Sequence, residues 1–285
     1  MRAVGRPLAF LPGGCEPVLQ RFARLSMVPL RVRCNLATGY LPSEIDRADQ
    51  PLDSVLAWAV LQALPYPVAF GNQAAAVIPT PLQLLWVSSG EEGIPAGLPL
   101  WAATPLRPVT PSALGREYWH RRYPAQRADM SVRIRAKTNA GRWKEFRVPI
   151  SPRTPCELEA LAIGHAGTII DLLEQVSHLG KLGKTGYGYV ARWSVEPVPL
   201  TLEEAEQQIL ATRPVPLAAY GELGGQVAGR IERRGWTPPY WFAPWHASCV
   251  VPPLQPPPGP DGVAGPETDP AFTEIDWFEA MREIG

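Results

Sequence analysis

Cysteine is scarce in this chain of 285 residues, and the four present, Cys15, Cys34, Cys156 and Cys249, lie far apart with no CxxC spacing. A disulfide scaffold and a zinc ribbon are excluded on that ground, and the pattern points to reduced thiols in a cytoplasmic protein. The four histidines are equally scattered, so metal-ligand spacing is missing too. No apolar run approaches the length of a membrane span, and RPLAFLPGGC near the start is broken by proline and glycine before it can form a signal-peptide core. Acyl transfer lacks its GxSxG. GKLGKTG holds the Gly183-Lys184-Thr185 end of a P-loop, but His178 stands where the first glycine of GxxxxGK[ST] belongs, and a helical pattern instead of a strand precedes it. The sequence thus announces no ordinary enzyme, no metal and no cofactor.

Net charge is absent as well, since 27 basic and 27 acidic residues cancel. Their distribution is uneven. From Arg116 to Arg153 there are 11 Lys/Arg against 3 Asp/Glu, and from Val251 to Gly285 there is 1 against 7. A basic middle and an acidic, proline-rich tail imply two surfaces of opposite preference for polyanions. The 34 prolines promise short elements joined by rigid turns.

Four regions are expected: an irregular arm at 1–28, with Met27 an alternative start; a first β/α part at 29–125; a second at 126–250; and the tail at 251–285. LRVRCNL alternates as a strand with one buried face, and PLDSVLAWAVLQAL carries helical spacing, with Pro51 in its first turn and Asp53 at the positive helix end. VIPTPLQLLWV and LPLWAATPL suit short strands. MSVRIRAKTNAGRWKEFRVPI predicts a hairpin turning at Asn139-Ala140-Gly141. CELEALAIG is a further strand, leading into a helix over HAGTIIDLLEQVSHLG with Thr168 and Asp171 as its capping box and Gly180 as its stop. A strand then follows in YGYVARWSVEPVPL and an acidic helix in LTLEEAEQQIL. FTEIDWFEAMREI suits a short amphipathic helix.

The stretch between that helix and strand, HLGKLGKTGYGYVARW, puts Gly180, Gly183, Gly186 and Gly188 beside Lys181 and Lys184. Glycine admits positive φ and close backbone approach, at an entropic cost that a plain connector would rarely accept four times. Exposed backbone N–H groups with flanking lysines suit a phosphodiester backbone. Arg121, Arg122, Arg127, Arg133, Arg135, Lys137, Arg142 and Lys144 extend that footprint if the hairpin lies on the same side; the alternative is a solvated strand face. Trp236, Tyr240, Trp241 and Trp245 in WTPPYWFAPW read either as a protein interface or as a roof on the core. Histidine beside lysine and tyrosine also suits metal-free RNA cleavage, with His120 or His178 as general acid-base groups.

LRVRCNLATGY with PLDSVLAWAVL, followed by ELEALAIG and IIDLLEQVSHLGKLGKTGYGYVARWSVEP, resembles the RAMP superfamily, and within it the type IV CRISPR subunit that caps the 5′ handle of guide RNA. The resemblance covers residues 30 to 250. It implies an α+β fold with a ferredoxin-like, RRM-like core and a second, irregular β-rich part. It implies a non-catalytic RNA-binding role in a cytoplasmic antiviral ribonucleoprotein, with the crRNA 5′ handle and the CRISPR backbone subunits as partners. Target-adjacent duplex DNA and a helicase are further implied neighbours. Cleavage of precursor RNA and a scaffold role through protein contacts alone are the alternatives.

Overall fold

The structure, a computed structural model of the chain, describes residues 15–42, 50–63, 76–90, 94–109, 113–121, 146–154, 156–223 and 229–253. The stretch expected as an irregular arm contains helix α1 (Glu16–Ala23), started by Pro17 and anchored through buried Phe22. The alternation in LRVRCNL becomes β1 (Val28–Leu36): Leu30, Val32, Cys34 and Leu36 are buried while Arg31, Arg33 and Asn35 take the other face. Then come β2 (Gln50–Pro51), α2 (Leu52–Ala63), β3 (Leu84–Val87), β4 (Pro99–Trp101) and β5 (Pro105–Pro108). Next are β6 (Glu117–Arg121), β7 (Phe146–Ile150), β8 (Glu157–Gly164), α3 (Ala166–Leu173) and β9 (Val190–Pro197). The remainder is α4 (Leu202–Leu210), β10 (Val215–Pro216), α5 (Leu217–Glu222), β11 (Arg230–Arg234) and β12 (Ala247–Val251).

The main sheet has the order β2-β5-β8-β1-β9, and every neighbouring pair is antiparallel. Two β-α-β units interleave in it: β1-α2-β5 encloses β8, and β8-α3-β9 encloses β1. Strands from either side of residue 125 therefore share one sheet. The smaller sheet β10-β12-β11 and the pairs β3-β4 and β6-β7 complete the strands among the described residues. The fold is mixed α and β with antiparallel sheets.

Burial follows from the period-two pattern. The inward residues of β1, with Leu158, Ala160 and Ala162 of β8, form one core with Leu52, Leu56 and Val60 of α2 and Ile169 and Leu173 of α3. Ile163 points to the opposite side and joins a second core with Ile209 of α4, Leu98, Leu100, Trp236 and Trp245. Gly164, at the crossing into α3, has no room for a side chain: a Cβ would lie 2.7 Å from the Pro81 carbonyl.

Several expectations need correction. The helix after β8 is capped by His165, whose ring accepts from the Thr168 N–H, and it ends at Leu173, well before Gly180. Imidazole supplies the acceptor that a Thr168 hydroxyl was expected to offer. Pro51 lies in β2, one residue ahead of α2. The expected hairpin keeps its second strand as β7, but β7 pairs with β6; residues 131–145 lie outside the described residues. Residues 1–14 and 254–285, the outer arm and nearly all of the tail with its expected helix, also lie outside them. Among the described residues no helix is long and apolar enough to cross a membrane.

The two cores meet at Arg213, only 2% exposed. Its guanidinium donates to the Trp101, Ala103 and Trp236 carbonyls, to Asp53 Oδ2 at 3.1 Å and to the Tyr240 hydroxyl, which itself donates to Asp53. Asp53, expected at the positive end of α2, is there and is 2% exposed. A buried pair of this kind is costly to break from one side, because the remaining charge is left without compensation. Asp53→Ala or Arg213→Ala should each lower unfolding free energy by about 3–5 kcal/mol, and Tyr240→Phe by about 1–3 kcal/mol. Urea-unfolding midpoints measure the three.

Candidate nucleic-acid interface

The glycine-rich loop is closed at its base by a short antiparallel contact. Leu179 N–H donates to the Gly188 carbonyl and Val190 N–H to the Ser177 carbonyl, while Val176 and Leu179 are buried beneath. The loop is also laced to the chain leaving β1. Gly188 N–H donates to Gly39 O, Lys181 N–H to Leu41 O, and Thr38 Oγ1 bridges the two segments, donating to Gly186 O and accepting from Tyr189 N–H. A one-turn 3₁₀ segment, Gly183–Thr185, forms the tip.

Its glycines have different reasons to be glycine. Gly180 and Gly188 have positive φ, and a Cβ would sit 2.3 Å from the Leu41 carbonyl oxygen and 1.9 Å from that of Leu179 respectively. Gly186 also has positive φ, 95°, but its Cβ would meet no described atom within 4 Å. At Gly183 the obstacle is the His178 side chain. Thus Gly180 and Gly188 let the loop backbone approach its neighbours, whereas Gly186 serves a turn at the surface. Lys181 and Lys184 are both exposed beside it.

Against the loop lie two further segments. Arg153, 6% exposed, exchanges backbone hydrogen bonds with Tyr40, Thr154 N–H donates to Ala113 O, and Gly115 N–H to Pro152 O. Together with Thr38 and Gly186 these segments enclose an open cavity of about 400 Å³ whose wall includes Glu117, Arg153, Thr154 and Tyr187. The Tyr187 hydroxyl donates to Glu117 Oε2, and that hydrogen bond pushes the phenol pKa up to about 12. Beside the cavity, β6 and β7 carry exposed His120 and, on one face, Arg147 stacked 4.0 Å from the Tyr118 ring centre.

Of the expected phosphate-binding residues, the structure gathers Gly180, Lys181, Gly183, Lys184, Gly186 and Gly188 in one loop. Arg121 lies on β6, with its backbone alone described; Arg122, Arg127, Arg133, Arg135, Lys137, Arg142 and Lys144 lie outside the described residues. His178, half-buried, shares a 2.9 Å hydrogen bond with Ser177 and packs edge-on against Tyr189, on a different element from His120. The aromatic segment divides. Trp236 and Trp245 are 0% and 3% exposed and belong to the second core, the roof of the two alternatives and not the protein interface. Tyr240 turns its hydroxyl into the Arg213 network, leaving Trp241 as the exposed member. Sequence reasoning missed Thr38, Glu117, Arg153 and Thr154 because they meet only in three dimensions; Arg153 alone carried a signal, as the last residue of the basic stretch.

The outer face of the main sheet is a different surface. Cross-strand registry sets Arg31 opposite Glu196, Arg33 opposite Glu159 and Asn35 opposite both Glu157 and Arg192. Arg33 reaches Glu159 at 2.9 Å and Glu157 at 3.3 Å, and Arg31 reaches Glu159 at 3.4 Å. That face is charge-paired and carries no aromatic on β1, β8 or β9, unlike the stacking platform of a single-strand-binding sheet.

Residues 113–252 match a family model. It describes the CRISPR type IV associated protein Csf3. The matched segment, just under half of the chain, runs from the cavity wall through the loop to the end of β12. A chain in the cryo-EM structure of the Type III-B Cmr-beta bound to cognate target RNA is 11% identical, with TM-score 0.34 over 65% of this chain and 68% of that one. Among curated proteins no match was found.

The glycine geometry gives a stability test. Gly186→Ala should lose about 1–2 kcal/mol, the cost of a left-handed side-chain-bearing residue. Gly188→Ala adds a collision with a carbonyl to the same strain and should lose clearly more. Thermal melts of the two variants, run side by side, read the difference.

Proposed function

We propose that this protein is a non-catalytic, guide-RNA-binding subunit of a CRISPR ribonucleoprotein, which caps the 5′ handle and grips it mainly through phosphates. The observation that carries the reading is the pinned glycine loop, with exposed Lys181 and Lys184 next to a cavity containing Arg153, inside the segment that matches the type IV family. A loop already hydrogen-bonded to residues 37–41 and to Glu117 loses little further entropy when it meets an anion. The interleaved β-α-β units, in the order β5-β8-β1-β9, support a ferredoxin-like core of the RAMP kind.

The RNA is placed at the end of the sheet where the loop, the β1 exit and β6 converge. The charge-paired sheet face is excluded by its own salt bridges, which neutralise it locally. Backbone subunits of the same complex are the protein partners, and the exposed Trp241 is a contact offered to one of them. The handle, or duplex DNA beside the target, is the partner assigned to the arginines of the basic middle, with a helicase as a further neighbour of the assembled particle.

Co-expression with the remaining subunits and a guide-RNA precursor tests this. One copy per complex, bound to RNA with a defined 5′ end, is expected. Affinity should fall steeply with salt, and Lys181→Ala and Lys184→Ala should each reduce the slope of log affinity against log salt by about 0.7. Arg31→Ala should leave that slope unchanged. A salt-independent affinity, an RNA-free particle, or cleavage by the purified chain that His120→Ala or His178→Ala abolishes would overturn the reading.

A further inference from the structure

The cavity between the loop and β6 is larger than phosphate binding needs. Its volume of about 400 Å³ lies in the range that holds small organic ligands. It is open, and its wall combines apolar surface from Pro152 and the Tyr187 ring with the polar side chains of Thr38, Glu117, Arg153, Thr154 and Thr185. Those groups differ in what they can still do. Thr38 Oγ1 already donates and accepts, and Thr185 Oγ1 donates to the Leu182 carbonyl, so neither hydroxyl has a hydrogen left to give. Thr154 Oγ1 accepts from Ala113 N–H and keeps its own hydrogen. Glu117 accepts from the Tyr187 hydroxyl at Oε2, and as an ionised carboxylate it keeps acceptor capacity at both oxygens for further donors.

We infer that this cavity receives one unstacked nucleobase of the bound RNA and that Glu117 makes it select guanine. The inference rests on the proposed RNA-binding role and adds to it a reading of sequence. A carboxylate is an acceptor at both oxygens. Guanine alone presents two adjacent donors, N1–H and the 2-amino group, on its Watson–Crick edge; adenine and cytosine pair one donor with an acceptor there, and uracil flanks its single donor with two carbonyls. Against Glu117 each of those three sets at least one acceptor close to a negative charge. The Thr154 hydroxyl is left as a donor for a guanine oxygen, and Pro152 and the Tyr187 ring supply contact surface for the base. Reading an extruded base by its edge while the strand is held by phosphates is the usual division of labour in single-stranded RNA recognition.

The experiment uses the assembled complex and guide RNAs in which each handle position is changed in turn to the other three bases and, where guanine stands, to inosine. Inosine lacks only the 2-amino group, so it removes one donor and perturbs nothing in the protein. One guanine position is expected at which substitution weakens binding roughly tenfold or more, with inosine falling between guanine and adenine. Glu117→Gln should erase the difference between guanine and inosine while preserving binding of the strand. RNA that binds with no guanine-dependent position, or a guanine preference unchanged in Glu117→Gln, overturns the inference and leaves the RNA-binding role intact. Failure to bind RNA at all overturns both. Tight binding of free guanosine monophosphate by the RNA-free chain assigns the cavity to a soluble nucleotide and likewise overturns it.

Discussion

One buried guanidinium holds the molecule together. Arg213 follows α4, inside the second core, yet its hydrogen bonds end on the first turn of α2, on the chain between β4 and β5, and on the segment 236–240. These pieces belong to different layers. Without a charge to be satisfied, apolar packing alone would let the layers slide, since hydrophobic contact has little directional preference. With it, α2 over one face of the main sheet is tied to the second core, whose α4 packs against β8 and β1 on the other. The desolvation of Arg213 is large, and Asp53 together with three carbonyls and the tyrosine hydroxyl offsets it.

That fixed sheet sets up the surface at its end. β1 delivers residues 37–41 to one side of the glycine loop, and α3 and β9 deliver the two ends of the loop itself, so the loop is clamped from three directions by backbone hydrogen bonds. Flexibility belongs to the sequence of this loop and not to its folded form: the positive-φ glycines permit a tight course that other residues would block. Its lysines are exposed, and on the sheet face Arg31 and Arg33 are paired with Glu157 and Glu159.

The sequence made much of this legible, for physical reasons that differ by element. β1, β8 and β9 show period two because each has one face on a helix-covered core, and α2 and α4 show helical spacing for the same reason. The glycine loop stood out because four glycines in nine residues are hard to explain locally. Capping by His165 was hidden, since imidazole is an uncommon helix-starting acceptor and Thr168 offered a commoner one. Trp236 and Trp241 look alike in sequence, yet one is fully buried and the other half exposed, because burial there depends on how the segment folds over Arg213. The cavity was illegible for a deeper reason: Thr38, Glu117, Arg153 and Tyr187 come from four separated segments, and only the sheet order brings them together.

The central claim is that nucleic acid meets this protein at the end of the sheet and not on its face. Ultraviolet cross-linking of the guide-RNA-bound complex, with the joined peptides identified by mass spectrometry, addresses it directly. The account predicts RNA adducts within 178–189 and on the neighbouring segments 37–41 and 113–121. Adducts on the outer residues of β1, β8 and β9, with none in the glycine loop, would contradict it.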